Sequence, residues 1–141
     1  MKKRKAKSYW AKQNQWFLNA YNKSSFESIK HAPVLLREDL AVLTAKMMDA
    51  KKILDLGCGP CRVLANCLEA IENSKGTGLD FSQSMIQESQ KFLKSKKLLS
   101  RTMLKNVDLL EEKTYPKSDL SIGLGLFDYI ANPKIILDKS I

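Results

Sequence analysis

Apolar positions along this chain fall into two alternating rhythms. Ile53, Leu54 and Leu56 form a run of strand length at about 52 to 56, and Val63, Leu64, Cys67, Leu68 and Ile71 recur at helical spacing at about 61 to 73. A second strand is predicted at about 76 to 80. Ser82 then caps a helix whose apolar face is Met85, Ile86, Phe92 and Leu93. A third strand near 102 to 107 ends at Asp108, and a polar turn covers Glu111 to Lys117. Asp119 to Leu124 reads as a fourth strand, and Asn132 with Pro133 opens a last helix. Strands alternating with helices predict an α/β fold on a parallel sheet of about four strands, because parallel neighbours need crossovers, and the crossovers should be right-handed.

Two further helical patterns precede the first strand. Trp10, Trp16, Phe17, Ala20 and Tyr21 lie near helical spacing, and Pro33 opens a helix in which Leu36, Leu40, Leu43 and Met47 recur. The organisation expected is a basic tail and helical extension over 1–50, followed by one domain over 51–141. With 141 residues and 44% hydrophobic content the chain suffices for a single core.

No apolar stretch has the length of a membrane span, and the basic start runs into polar and aromatic sequence instead of the apolar core of a signal peptide. The expectation is a soluble, cytoplasmic protein with no membrane partner. Three cysteines, an odd number, imply reduced thiols. Of the net charge of +9, five positive charges fall in the first seven residues. A second basic stretch comprises Lys91, Lys94, Lys96, Lys97, Arg101 and Lys105. Both stretches read as solvated surface, with attraction of nucleic acid or another polyanion as the alternative. His31, the only histidine, reads as a surface residue, and no metal site is expected.

Chemistry concentrates between Lys51 and Arg62, in KKILDLGCGPCR. Gly57 and Gly59 follow a strand directly, where the backbone must turn sharply and leave room for a ligand against bare amides. A dinucleotide site would call for GxGxxG, but position 62 is Arg, and no GK[ST] ending marks a P-loop. Asp80 ends the second strand 21 positions after Gly59, near the expected spacing of about 20. A carboxylate there accepts hydrogen bonds from a ribose diol and repels a 2′-phosphate, so the series predicts an unphosphorylated nucleoside ligand.

In order, DLGCGPCR, GTGLD, VD at 107–108 and SDLSIGLGLFDYI resemble a class I S-adenosylmethionine-dependent methyltransferase, from Lys51 to about Leu137. The resemblance implies a Rossmann-like fold and S-adenosylmethionine as cofactor. It places Asp55, Gly57, Cys58 and Gly59 around the methionine part, Asp80 on the ribose, and Phe81 beside the adenine. Asp108 would meet the exocyclic amine, the Leu109 amide would assist, and Gly123, Leu124, Gly125 and Leu126 would close the site. Asp128 and Tyr129 are candidates for positioning the acceptor or removing its proton, with a helix start beside a core aromatic as the plain alternative. The acceptor implied is a small molecule or, from the basic segments, a nucleic acid. The family's sheet usually has seven strands, so this chain is incomplete against it, leaving Ile135, Ile136 and Leu137 little to pack on. Either the sequence is a fragment or a partner chain covers the fourth-strand edge, and a non-catalytic cofactor-binding or interaction module is the alternative function.

Cys58 to Cys61 also spells CGPC, the dithiol of thioredoxins, but Gly57 directly precedes it and no later proline stands at the thioredoxin distance. A thiol–disulfide oxidoreductase is therefore the lesser alternative. Cys61 occupies the place of a third glycine or small residue, so its side chain is expected to crowd the cofactor's approach, and oxidation with Cys58 to distort the turn and weaken cofactor binding. Two small buried thiols fitting a tight turn are the plain reading.

Overall fold

The computed structural model describes residues 32–140. In chain order they form α1 (Ala32–Met47), β1 (Lys52–Leu56), α2 (Arg62–Ala70), β2 (Lys75–Asp80), α3 (Gln83–Ser95), β3 (Thr102–Asn106), β4 (Leu120–Ile122) and α4 (Lys134–Leu137), with 3-10 turns at Leu99–Arg101 and Phe127–Tyr129. The basic tail, the aromatic residues of 10–21 and His31 lie outside the described residues.

All four strands are parallel, in the order β3-β2-β1-β4. β1 is paired on both edges, which accounts for its unbroken apolar run. Asp55 stands opposite Gly78 of β2 and Ile122 of β4. The strand order reverses between β1 and β4, so the loops leaving their carboxyl ends diverge and open a crevice. β4 is shorter than the predicted 119–124. Its pairing stops at Ile122, and the chain then turns through Gly125 at φ 69°. Asp119 serves as an anchor ahead of the strand: its carboxylate accepts the N–H groups of Lys51 and Lys52, each at 2.8 Å.

Period-two alternation divides the core between the two sheet faces. Ile53 packs with Leu64, Ala65, Cys67 and Leu68 of α2 and with Ile86 and Leu93 of α3. On the other face Leu54, Leu56 and Leu79 pack with Leu109, Tyr115 and Ile136. Ile136 is therefore well covered, contrary to expectation, while Ile135 and Leu137 are exposed. Tyr115, within the expected polar turn, is buried and donates its hydroxyl to the Leu109 carbonyl at 2.7 Å.

The apolar stripe of α1 does not face the core. Leu36, Leu40, Leu43 and Met47 are 69%, 60%, 52% and 80% exposed, whereas Ala45 and Glu38 are buried. Ala41, Val42 and Ala45 are small enough to bring α1 close against its neighbours, and Glu38 bonds Arg62 at the start of α2 through Nε at 3.0 Å and Nη2 at 2.8 Å. Half of the second basic stretch is engaged internally. Lys91 pairs with Glu88 and Lys96 with Glu69, and Arg101 holds the carbonyls of Ile71 and Ser74. Among the described residues no helix is long and apolar enough to cross a membrane.

Gly78 lets α2 and the turn before it press onto the sheet. A Cβ there would lie 2.9 Å from Cys58 Sγ, Cys61 Sγ and Leu104 Cδ2. Gly78→Ala should cost about 1–3 kcal/mol through overpacking, and urea unfolding of the variant beside the parent chain measures it; equal midpoints would refute the packing.

Candidate functional site

The site residues named from sequence sit on loops at the carboxyl ends of the strands. Asp55, Gly57, Cys58 and Gly59 lie at the end of β1, and Asp80 and Phe81 at the end of β2. Asp108 and Leu109 follow β3, and Gly123, Leu124 and Gly125 follow β4. Hydrogen bonds join the first three groups. The N–H groups of Gly57 and Cys58 donate to the Leu79 carbonyl at 2.8 and 3.0 Å, extending the β1–β2 ladder into the turn. Gly59 N–H donates to Asp80 Oδ2 at 2.9 Å, Ser82 N–H to Asp80 Oδ1 at 2.8 Å, and Val107 N–H to the Asp80 carbonyl at 2.9 Å. The loop after β4 reaches the turn through Leu126, whose Cδ1 would lie 3.0 Å from a Cβ at Gly57.

Two expectations are corrected here. Cys61 N–H donates to the Cys58 carbonyl at 2.8 Å and Pro60 has no N–H, so every amide from Gly57 to Cys61 is engaged within the fold. The turn offers a ligand space instead of bare amides: Gly59, at φ +49°, has nothing within 4 Å of where a Cβ would stand. Cys61 does not crowd that space. It adopts φ 58°, a left-handed conformation that accounts for a glycine preference at this place, and its fully buried side chain turns inward over Gly78.

Asp55 shares the face of β1 with Ile53 and is 5% exposed. Among the described residues its carboxylate has no hydrogen-bond partner, an arrangement unfavourable for a buried charge. Burial first, then the negative charges of Asp80 and Glu38, push its pKa up to about 7. Burial also raises Asp80, and the Ser82 and Gly59 amides pull it back down. Two buried carboxylates, with a third at Glu38 neutralised by Arg62, give the crevice a negative field suited to a cationic ligand. A buried, unpartnered carboxylate and a space kept clear by Gly59 fit a nucleoside that carries an ammonium group.

Phe81 is 37% exposed beside this crevice, while the Leu109 side chain is buried in the second core cluster. Asp108 accepts the Leu110 N–H at 3.0 Å, which fixes its loop. Asp128 and Tyr129 lie on the 3-10 turn beyond β4 and are exposed. Sequence reasoning missed Glu38 and Ser89. An arginine where a glycine is usual signals a need for a carboxylate partner. Ser89 signals itself as a polar residue one turn after Met85 on an apolar face, and its hydroxyl lies 2.6 Å from the Gly59 carbonyl.

Residues 54–140 match the family model of the methyltransferase domain. The chain belongs to that family. An uncharacterised protein of Rickettsia prowazekii is 30% identical over 119 residues, a match covering 77% of this chain and 44% of that protein. A methyltransferase of Thiobacillus denitrificans, solved in complex with S-adenosyl-L-homocysteine, shares the fold at a TM-score of 0.57 and 18% identity, over 72% of this chain and 43% of that one. Coclaurine N-methyltransferase, solved with N-methylheliamine and S-adenosylhomocysteine, does so at 0.66 and 23%, over 74% and 31%. The chain thus spans less than half the length of these relatives.

A carboxyl group whose pKa is raised by folding favours the folded state in its protonated form. Stability from Asp55 is therefore present at low pH and is lost as pH rises from about 4 to about 7. Asp55→Asn should gain on the parent chain by about 2–3 kcal/mol between pH 5 and pH 7. Urea unfolding at the two pH values measures this, and parallel changes in both proteins would count against the buried charge.

Proposed function

We propose that this chain is the cofactor-binding part of an S-adenosylmethionine-dependent methyltransferase. The observation that carries the reading is the coincidence at one turn of three features: amides from Gly57 to Cys61 all engaged, space left open at Gly59, and the buried carboxylates of Asp55 and Asp80 on the adjoining strands. A dinucleotide or nucleoside triphosphate needs free amides or cations for its phosphates, and this turn supplies neither. A nucleoside with an ammonium group and no phosphate matches it.

In that role the remaining lone pairs of Asp80 accept the ribose hydroxyls and Asp55 balances the ammonium. The residues 57–59 form the floor, with Phe81 and the Asp108–Leu109 loop on the adenine side. Residues 123–126 close the methionine side. The cofactor, when bound, supplies a methyl group already activated on a sulfonium, so the protein's part is to orient and to exclude water. No general base is required of a strongly nucleophilic acceptor; Asp128 and Tyr129 are the positions from which a weaker one would be aligned or deprotonated. A small-molecule acceptor is favoured over nucleic acid, since half of the second basic stretch is engaged within the fold.

The second reading, a cofactor-binding module completed by another chain, has one observation in its favour: among the described residues β4 is paired only with β1. It would show as cofactor binding without turnover and a stable complex with that chain. In either reading residues 51–141 are the cofactor domain and 32–50 an extension fastened to it by Glu38 and Arg62.

Calorimetric titration with S-adenosylhomocysteine and, in parallel, NAD tests the proposal. Micromolar binding of the first and none of the second is expected, with Asp80→Ala abolishing it; a folded chain that binds neither would overturn it. Gly59→Ala separates ligand space from stability: about 1 kcal/mol of backbone strain is expected, with at least a tenfold loss of affinity because the new Cβ occupies the clear space. Binding near pH 6.5 should also release protons, because the ligand's ammonium stabilises the Asp55 carboxylate and its proton passes to the buffer. The measured enthalpy should therefore depend on the buffer's ionisation heat in the parent chain and lose that dependence in Asp55→Asn.

A further inference from the structure

Cys58 and Cys61 form a cluster of nucleophilic side chains that the cofactor reading leaves unused. Their turn is closed by the 2.8 Å bond from Cys61 N–H to the Cys58 carbonyl. A turn of that kind holds its end Cα atoms within about 7 Å, the separation that a disulfide spans at roughly 4.4–6.8 Å. Both sulfurs also converge on one point, each 2.9 Å from where a Cβ of Gly78 would stand. Turn and sheet have therefore already brought the pair together.

We propose that Cys58 and Cys61 are a redox-modifiable dithiol, oxidised by a small-molecule disulfide to an intramolecular disulfide that weakens the adjoining turn's hold on its nucleoside. Cys58, 7% exposed against 0% for Cys61, meets the oxidant first. Its thiolate attacks one sulfur of the small disulfide and releases a thiolate. The Cys61 thiolate then attacks Cys58 Sγ, forms the Cys58–Cys61 bond and releases the second thiolate. The two protein protons go to the two released thiolates, and two electrons pass from the dithiol to the small disulfide. The adjacent Cys61 thiol, then burial, holds the Cys58 thiol well above its ordinary pKa. Exchange therefore proceeds through transient opening of the turn, over minutes to hours, and not at the speed of an oxidoreductase active site.

Closure draws the sulfurs together to about 2.05 Å. The displacement falls on Cys58 and Gly59, whose amides hold Leu79 and Asp80. Loss of affinity rests on the cofactor reading; formation of the bond does not. Reciprocity requires that a ligand preferring the reduced turn also oppose its oxidation.

The test incubates the whole chain with oxidised glutathione, alkylates the free thiols, maps the peptides, and titrates S-adenosylhomocysteine before oxidation, after it, and after dithiothreitol. A Cys58–Cys61 link, an affinity at least tenfold weaker in the linked form and recovery on reduction are expected, with slower linking when S-adenosylhomocysteine is present. No link, a link to Cys67, or unchanged affinity in the linked form would overturn the proposal. Cys61→Gly, which suits the positive φ at that position, should bind in the reduced range and form no protein disulfide with the oxidant, stopping at a mixed disulfide on Cys58; should that variant fail to fold, the reversible change in the parent chain decides. If the reduced chain binds no S-adenosylhomocysteine, the cofactor reading and the affinity effect fail together, and the peptide map alone decides whether the dithiol forms.

Discussion

The carboxylate of Asp80 is bonded to backbone on either side of it, to Gly59 in the turn after β1 and to Ser82 at the cap of α3. Its own carbonyl meanwhile receives Val107 and the Asn106 side chain from the end of β3. Three loops that belong to different crossovers are thereby fixed to one residue. The bonds also act on its charge: burial pushes its pKa up, and the two amides pull it back towards the charged form. Ser89 fastens the same turn from beneath, so the position of Gly59 is set by side chains from a strand end and from a helix.

Asp55 lacks such support. It is buried one pleat from Ile53, without a hydrogen bond among the described residues and within the field of Asp80 and Glu38. Such a buried, shifted carboxyl at a strand's carboxyl end is the kind of group that marks a candidate binding site. The engaged amides of the glycine turn add the complementary exclusion. A turn that resembles a phosphate cradle in sequence has its own amides, from Gly57 to Cys61, engaged in three dimensions. Charge and hydrogen bonding thus narrow the ligand class within a fold that serves many.

Packing beneath the turn accounts for the departures from the glycine pattern. Cys61 takes the left-handed conformation of a third glycine and places its thiol in the core, an arrangement open only because Gly78 has no side chain there. Arg62, where a dinucleotide-binding helix would start with glycine, is accommodated by Glu38 of α1. The extension ahead of the family domain therefore contributes to the site's electrostatics through a residue outside the matched segment.

By itself the sequence determined the order of elements, the parallel sheet and the residues at its carboxyl edge. Those depend on local periodicity and on strand, turn and helix residues close together in the chain, such as Gly57, Gly59 and the Ser82 cap. It also placed Asp80, because a crossover has a nearly fixed length. Only tertiary structure decided which face of α1 is buried: Leu36, Leu40, Leu43 and Met47 are spaced like a core stripe, yet the small residues and the Glu38–Arg62 pair turn them outward. Only tertiary structure showed that the turn's amides are occupied, that Asp55 has no hydrogen-bond partner among the described residues, that β4 stops at Ile122 and that two thiols meet over Gly78. Each of these depends on what lies opposite a residue across the sheet or beneath a helix, and hydrophobic period along a chain carries no record of that partner.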